Sequence, residues 1–192
     1  MKDPDSALKQ SAVAGDPVAI ERLFGELYPP VYGFCFTMTR KTADAEDLAQ
    51  QTFLKAFAGL RQFRPAQPIG PWILRIAHNQ FISQLRSRRP QADLDDPEIE
   101  FLPSDDPAPE ATALSKETRE EVRRALRSLA PAVQMILALR YQQQLSYEEI
   151  AAVIDTPVTT VTNRLFEARR QLGRALRQTG EGGSDELQLV GY

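Results

Sequence analysis

The sequence predicts an all-α protein: two small helical domains joined by a flexible, acidic, proline-rich linker. Three observations carry that expectation. Apolar residues recur at helical spacing along most of the chain, and the alternation of a strand is nearly absent. Residues Pro90 to Pro109 hold five of the fourteen prolines. From Asp93 to Glu110 there are eight acidic residues and no basic one, a composition that stays extended rather than packing. The boundaries expected are 1–90 for the first domain, 91–114 for the linker, 115–178 for the second domain and 179–192 for a flexible tail. With 192 residues and 42% apolar, each half can bury a core.

The elements follow in order. Asp16 reads as an N-cap and Pro17 as the first helical residue. A helix to about Leu27 should follow, stopped by Pro29-Pro30, with a second helix from there to about Arg40. A long helix covers about Ala43 to Leu60, with Leu48, Ala49, Phe53, Ala56, Phe57 and Leu60 as its apolar positions. The loop Arg64 to Pro71 separates it from a helix at about Trp72–Ser87. Beyond the linker, helices are expected at about Ser115–Leu129, Ala132–Gln142, Tyr147–Ile154 and Val158–Arg177. Gly180, Gly182 and Gly183 should end the ordered part.

Several classes are excluded or weakened. No apolar run is long enough to span a membrane, and MKDPDSALKQ lacks the apolar stretch of a secretory signal. One cysteine, Cys35, rules out an internal disulfide and fits a reducing cytoplasm. One histidine, His78, beside that one cysteine weighs against structural zinc. No GxSxG, P-loop or GxGxxG pattern occurs, which weighs against an enzyme. No catalytic residue, metal or cofactor is therefore expected.

Net charge is −3, yet the charge is blocked rather than mixed. From Leu48 to Ala92 there are seven basic residues and no acid; from Val122 to Gln178 there are nine arginines against four acids. Two basic blocks around an acidic spacer attract phosphate locally, although each block alone also suits a solvated helix face.

The stretch LSYEEIAAVIDTPVTTVTNRLFEARRQL carries the most information. Ser146 and Glu149 form a capping box. Ile150, Ala151 and Ile154 form a buried stripe, and small Ala151 allows a close helix crossing. Asp155-Thr156-Pro157 breaks the helix, with Asp155 where a left-handed residue is needed. Val161, Leu165 and Leu172 mark the inner face of the next helix. Its outer face carries Thr159, Thr160, Asn163, Glu167 and Arg170, with Thr162 and Phe166 at the edge. These side chains can reach base edges in a major groove. Arg164, Arg169, Arg174 and Arg177 can hold phosphates. A plain helical hairpin is the rival reading, and the coincidence of cap, small residue, turn and basic helix favours a DNA-binding helix-turn-helix.

In the first domain, Arg75, Asn79, Ser83 and Arg86 recur at spacings of four, four and three, and Arg88 and Arg89 extend the row. Phe63, Trp72, Phe81 and the loop with Arg64 lie beside it. Aromatics next to cations suit unpaired nucleic acid, and Asn79 can read a flipped base. Taken singly, each aromatic also fits the core. On the long helix, Asp47, Gln50, Gln51 and Leu54 share one face, which suits either a protein-docking surface or solvent.

AEDLAQQTFLKAF at 45–57, PWILRIAHNQFISQLRSRR at 71–89 and the 145–172 segment together resemble the extracytoplasmic-function (ECF) sigma factors of bacterial RNA polymerase. The resemblance covers about residues 10 to 178. It implies an alternative sigma factor that binds core polymerase and directs promoter-specific initiation. Asp47, Gln50, Gln51 and Leu54 would dock on the clamp helices of the large subunit, and the second domain would lie at the flap region. Arg64, Trp72, Arg75, Asn79, Ser83, Arg86, Arg88 and Arg89 would bind the melted −10 element. Thr159, Thr160, Thr162, Asn163, Arg164, Phe166, Glu167 and Arg170 would read the −35 element as duplex. It also implies promoter DNA and an anti-sigma factor as partners, a linker running toward the RNA exit channel, and a cytoplasmic protein. The chain departs from the family at Gln50-Gln51, where one charge is missing; at FRPAQPIGPW, with its three prolines; at Asp155 and Thr159, where glycines are common; and at Glu167, where a base is frequent. The Glu167 departure predicts an altered −35 preference.

Two rivals remain at this stage. A stand-alone helix-turn-helix regulator would bind duplex DNA tightly without polymerase. A helical adaptor would show no salt-dependent DNA affinity. The tail GEGGSDELQLVGY either is a disordered end or folds back on a basic surface or a partner.

Overall fold

The computed structural model describes residues 1–88 and 116–179, and among them every regular element is helical. The expected linker, Arg89 and the tail from Gly180 lie outside the described residues. The first half holds α1 (Ser6–Val13), α2 (Pro17–Thr39), α3 (Thr42–Gly59), a 3-10 turn (Leu60–Gln62) and α4 (Ile69–Arg88). The second holds α5 (Lys116–Arg127), α6 (Pro131–Leu137) running into a π-helical turn (Ala138–Gln142), α7 (Tyr147–Ile154) and α8 (Val158–Thr179).

The N-terminal segment is helical, which the sequence reading did not anticipate. Asp5 caps α1 through the Ala7 amide, and Ala12 is buried beneath it. At α2 the expected cap is present: the Asp16 carboxylate accepts from the Val18 amide at 3.1 Å, with Pro17 first in the helix.

Pro29-Pro30 do not stop α2, contrary to expectation; one helix continues to Thr39. An interior proline costs a helix about 3 kcal/mol. Beyond the pair, Val31, Phe34, Cys35 and Met38 are buried, and each large apolar side chain so placed returns about 1.5–3 kcal/mol. Continuing the helix keeps these in register with Leu23 and Leu27 against α3, so packing outweighs the two lost backbone bonds. The helix ends at Arg40, whose left-handed backbone (φ 61°) closes it.

The second half begins with α5 and α6, and the π-helical turn replaces the last turn and a half of the α-helix expected at 132–142. Gln144 then takes φ 57°, and the Arg140 guanidinium donates to the Leu145 carbonyl at 2.8 Å across the reversal.

The two halves pack on each other. Helix α4 lies against α7, and α2 lies against α6 and the π-helical turn. The side-chain amide of buried Gln143 donates to the Pro30 carbonyl at 2.9 Å, and the main-chain carbonyl of Gln143 accepts from the Met1 amine. Gly33 marks the closest approach, since a Cβ there would sit 3.0 Å from Gln142 Nε2. Arg75 and Asp155 form an ion pair at 3.1 Å across the seam, with side chains 48% and 81% exposed. A pair so exposed contributes under about 1 kcal/mol. Apolar burial holds the seam, and the buried side chains of both halves form one continuous cluster.

Candidate nucleic-acid interface

The helix-turn-helix forms as its spacing requires. Ser146 Oγ accepts from the Glu149 amide at 3.1 Å, and Glu149 accepts from the Ser146 amide at 2.7 Å, closing both bonds of the capping box. Ile150, Val153 and Ile154 are buried, Ala151 half so. Asp155 takes φ 53°, ψ 53°, the left-handed turn residue expected there. Ser146→Ala should lower stability by about 1 kcal/mol, the usual worth of such a cap. A denaturant midpoint equal to that of the parent protein would contradict this.

Helix α8 then sorts its side chains. Val161 and Leu165 are fully buried and Leu172 half-buried, whereas Thr159, Thr162, Asn163, Arg164, Phe166 and Arg170 are exposed. Thr160 and Glu167 are half-exposed. Phe166 is 68% exposed. Two predicted contacts are already engaged. Glu167 pairs with Arg170 at 2.9 Å and accepts from Gln171, and the Arg170 bond holds its carboxyl below the usual range. Arg169, though exposed, donates to Tyr141 Oη at 2.9 Å and Tyr147 Oη at 2.7 Å. It braces the hairpin rather than offering itself to a phosphate.

Helix α4 divides the row expected on its surface. Four residues advance a helix by about 400°, so each step of four drifts about 40° from the last. Trp72, Ile76, Asn79, Gln80 and Ser83 therefore line one side, where Lys55, Gly59 and Gln62 complete a cleft of about 610 Å³. Arg75 and Arg86 turn to the other side: Arg75 meets Asp155, and Arg86 lies with His78 and Ile82 along the crevice facing Thr156, Arg164 and Glu167. Burial in that crevice lowers the His78 pKa below its ordinary value. Arg64 is exposed in the loop before α4; Arg88 is the last residue of α4, and Arg89 is outside the described residues.

The aromatics divide as well. Phe81 is core, at 5% exposure. Phe63 is buried too, but its ring packs 5.0 Å from Trp72 and props that indole at the cleft. The cleft thus has an aromatic wall, amides at Asn79, Gln80 and Gln62, a hydroxyl at Ser83, and a cation at Lys55, which donates to Gln80 at 2.5 Å. That set can stack a base, read its edge and hold a phosphate. Lys55, Gln62 and Gln80 escaped the sequence reading because they come from two helices and a turn that only the fold brings together.

On α3, Asp47, Gln50, Gln51 and Leu54 are exposed, as expected for one face. Gln51 also accepts from Gln84 of α4 at 3.1 Å. Phe57, one of the apolar positions of the long helix, is 58% exposed and extends the face beside Leu54 at 64%. Its neighbour Ala56 is fully buried, about 100° away around the helix.

Comparison with known proteins gives a consistent picture. Residues 23–91 match the model of sigma-70 region 2, and residues 119–172 match that of sigma-70 region 4. The RNA polymerase sigma-H factor of Pseudomonas aeruginosa is 31% identical over 184 residues, covering 92% of this chain and 95% of that protein. The ECF RNA polymerase sigma-E factor of Escherichia coli K12 is 38% identical over 140 residues, covering 68% and 73%. Among solved structures, the sigma factor RpoE of Bartonella quintana, in complex with the anti-sigma factor NepR, superposes with a TM-score of 0.67 at 25% identity, covering 82% of this chain and 96% of that one. CnrH, solved with the cytosolic domain of CnrY, shares the fold with a TM-score of 0.65 at 23% identity, covering 91% and 97%.

Proposed function

The chain belongs to the ECF family of RNA polymerase sigma factors, and on that premise we propose which of its surfaces meet polymerase and which meet promoter DNA. As an alternative sigma factor it binds core RNA polymerase and promoter DNA and directs transcription initiation. The observation that carries the assignment is the cleft beside α4, with Trp72, Asn79 and Ser83 on its wall. It is sized and lined for an unpaired base, as melted −10 DNA supplies. The exposed face of α8, from Thr159 to Arg170, reads the −35 duplex from the major groove. The α3 face with Asp47, Gln50, Gln51, Leu54 and Phe57 docks on the clamp helices, and the second half lies at the flap. The domains proposed are 1–90 and 115–178, joined by 91–114.

The protein acts by binding rather than by catalysis, in the cytoplasm where its polymerase is; among the described residues no helix is long and apolar enough to cross a membrane. An anti-sigma factor restrains it, a reading supported by the complex of RpoE with the anti-sigma factor NepR. Each DNA site alone is weak, and the linker raises the effective concentration of the second once the first is bound. Arg75 is half-exposed, and its weak pair with Asp155 can be exchanged for a phosphate contact as DNA loads on α4.

Transcription reconstituted from core polymerase on a pool of genomic fragments tests the proposal. New transcripts sharing −10 and −35 elements are expected when this protein is added. Tight duplex binding with no effect on transcription would favour the stand-alone regulator. Glu167 gives a finer check. Its carboxylate can accept from cytosine N4 once it releases Arg170, a contact worth about 1–3 kcal/mol of base discrimination. Glu167→Arg should therefore select different −35 sequences from a randomised library; an unchanged consensus removes Glu167 from the readout.

A further inference from the structure

An apolar groove of about 380 Å³ opens where α2 meets α5, α6 and α8. Phe36, Leu126, Leu137 and Leu172 line it, and Arg40 and Arg127 stand at its lip. Arg40 ends α2, half-buried, and the pKa of its guanidinium is lowered by that burial and by the like charge of Arg127. Among the described residues no carboxylate forms an ion pair with either arginine. An apolar trough with two mutually repelling cations at its edge is complementary to a segment that is both apolar and acidic.

This chain contains such a segment. Residues 180–192, GEGGSDELQLVGY, carry Glu181, Asp185 and Glu186 with no base, and then Leu187, Leu189 and Val190. They lie outside the described residues. Their reach is sufficient. Leu172 sits seven residues before Thr179 on α8, about 10 Å back along the axis at 1.5 Å per residue. The seven residues Gly180 to Glu186 can span about 23 Å when extended, and three of them are glycines that permit a reversal.

We propose that residues 185–192 fold back into the groove, with Leu187, Leu189 and Val190 on its apolar floor and Asp185 and Glu186 opposite Arg40 and Arg127. Because α2 belongs to the first half and α5, α6 and α8 to the second, an occupied groove ties the halves together. The segment then acts as an internal clasp that favours the closed arrangement over the spread one needed to reach two promoter elements. Occupancy of the groove goes beyond the assignment of DNA and polymerase surfaces, whereas its effect on promoter reach rests on that assignment.

Hydrogen exchange on the full-length chain, without DNA or polymerase, tests the clasp. Leu187→Ser/Leu189→Ser/Val190→Ser leaves the described core untouched. It should raise amide exchange across 122–127 by about tenfold, as expected when a local closing contact of roughly 1.4 kcal/mol is lost. Arg127→Glu should raise it as well, and adding it to the tail variant should give no further increase, because both remove one interaction. Equal exchange in the parent and the tail variant overturns the clasp, and so do fully additive effects. Either result would leave the groove to residues of 89–115 or to another protein.

Discussion

Core RNA polymerase is expected to lose this protein when Leu54 and Phe57 both become aspartate. Two large apolar side chains stand on an exposed helix face, 64% and 58% accessible, beside Asp47, Gln50 and Gln51. Water contact at such residues is unfavourable until a partner covers them. Buried anchors at the centre of an interface commonly carry about 2 kcal/mol or more each. The double substitution should therefore weaken binding by at least about a hundredfold, and the added charges would have to be desolvated as well. Folding should be unaffected, because neither side chain touches water any less in the free protein than a surface residue does. Co-elution with core polymerase at parental strength would remove α3 as the docking face. Retention of Leu54→Asp alone would instead assign the weight to Phe57.

Trp72→Ala is expected to have the second largest effect, on capture of the unpaired −10 strand. Stacking on an aromatic contributes about 1–3 kcal/mol per base, so affinity for a single-stranded −10 oligonucleotide in the holoenzyme should fall by roughly five- to 150-fold. The indole also packs on Phe63 at 5.0 Å, and its removal will lower the thermal midpoint. Trp72→Phe separates the two roles: it retains a stacking face and should recover most of the DNA affinity. Asn79→Ala supplies an independent arm. Asn79 is exposed and lines the same cleft, so its loss should relax base preference while the midpoint stays put. If Trp72→Ala binds the −10 strand as the parent does, the cleft is not the base site.

The helix-turn-helix was legible almost residue by residue. Its signals are local: a capping box spans four residues, the turn needs one left-handed residue at Asp155, and the inner face follows from a period of 3.6. The α3 face was legible for the same reason, except at Phe57, where an apolar residue next to the buried stripe has no sequence mark that separates it from the core. The polar row on α4 was only half legible. Spacing placed Arg75, Asn79, Ser83 and Arg86 together, and the accumulated drift along α4 distributes them between a cleft and a seam. Pro29-Pro30 misled in the other direction, because propensity is local and the burial that overrides it, at Val31, Phe34 and Met38, is not.

By itself the sequence determined that this protein is helical, that its cations lie in two blocks around an acidic spacer, and that its second half carries a helix-turn-helix. These follow from periodicity, charge and capping, all read within one or two helical turns. Only the tertiary structure decided that the two halves share one continuous core, that Arg75 is held by Asp155 and Arg169 by two tyrosines, and that Lys55, Gln62 and Gln80 complete the cleft around Trp72. Those outcomes join residues tens of positions apart. Which of them meet depends on how whole helices pack, and helix packing is set by the summed burial of many side chains rather than by any motif.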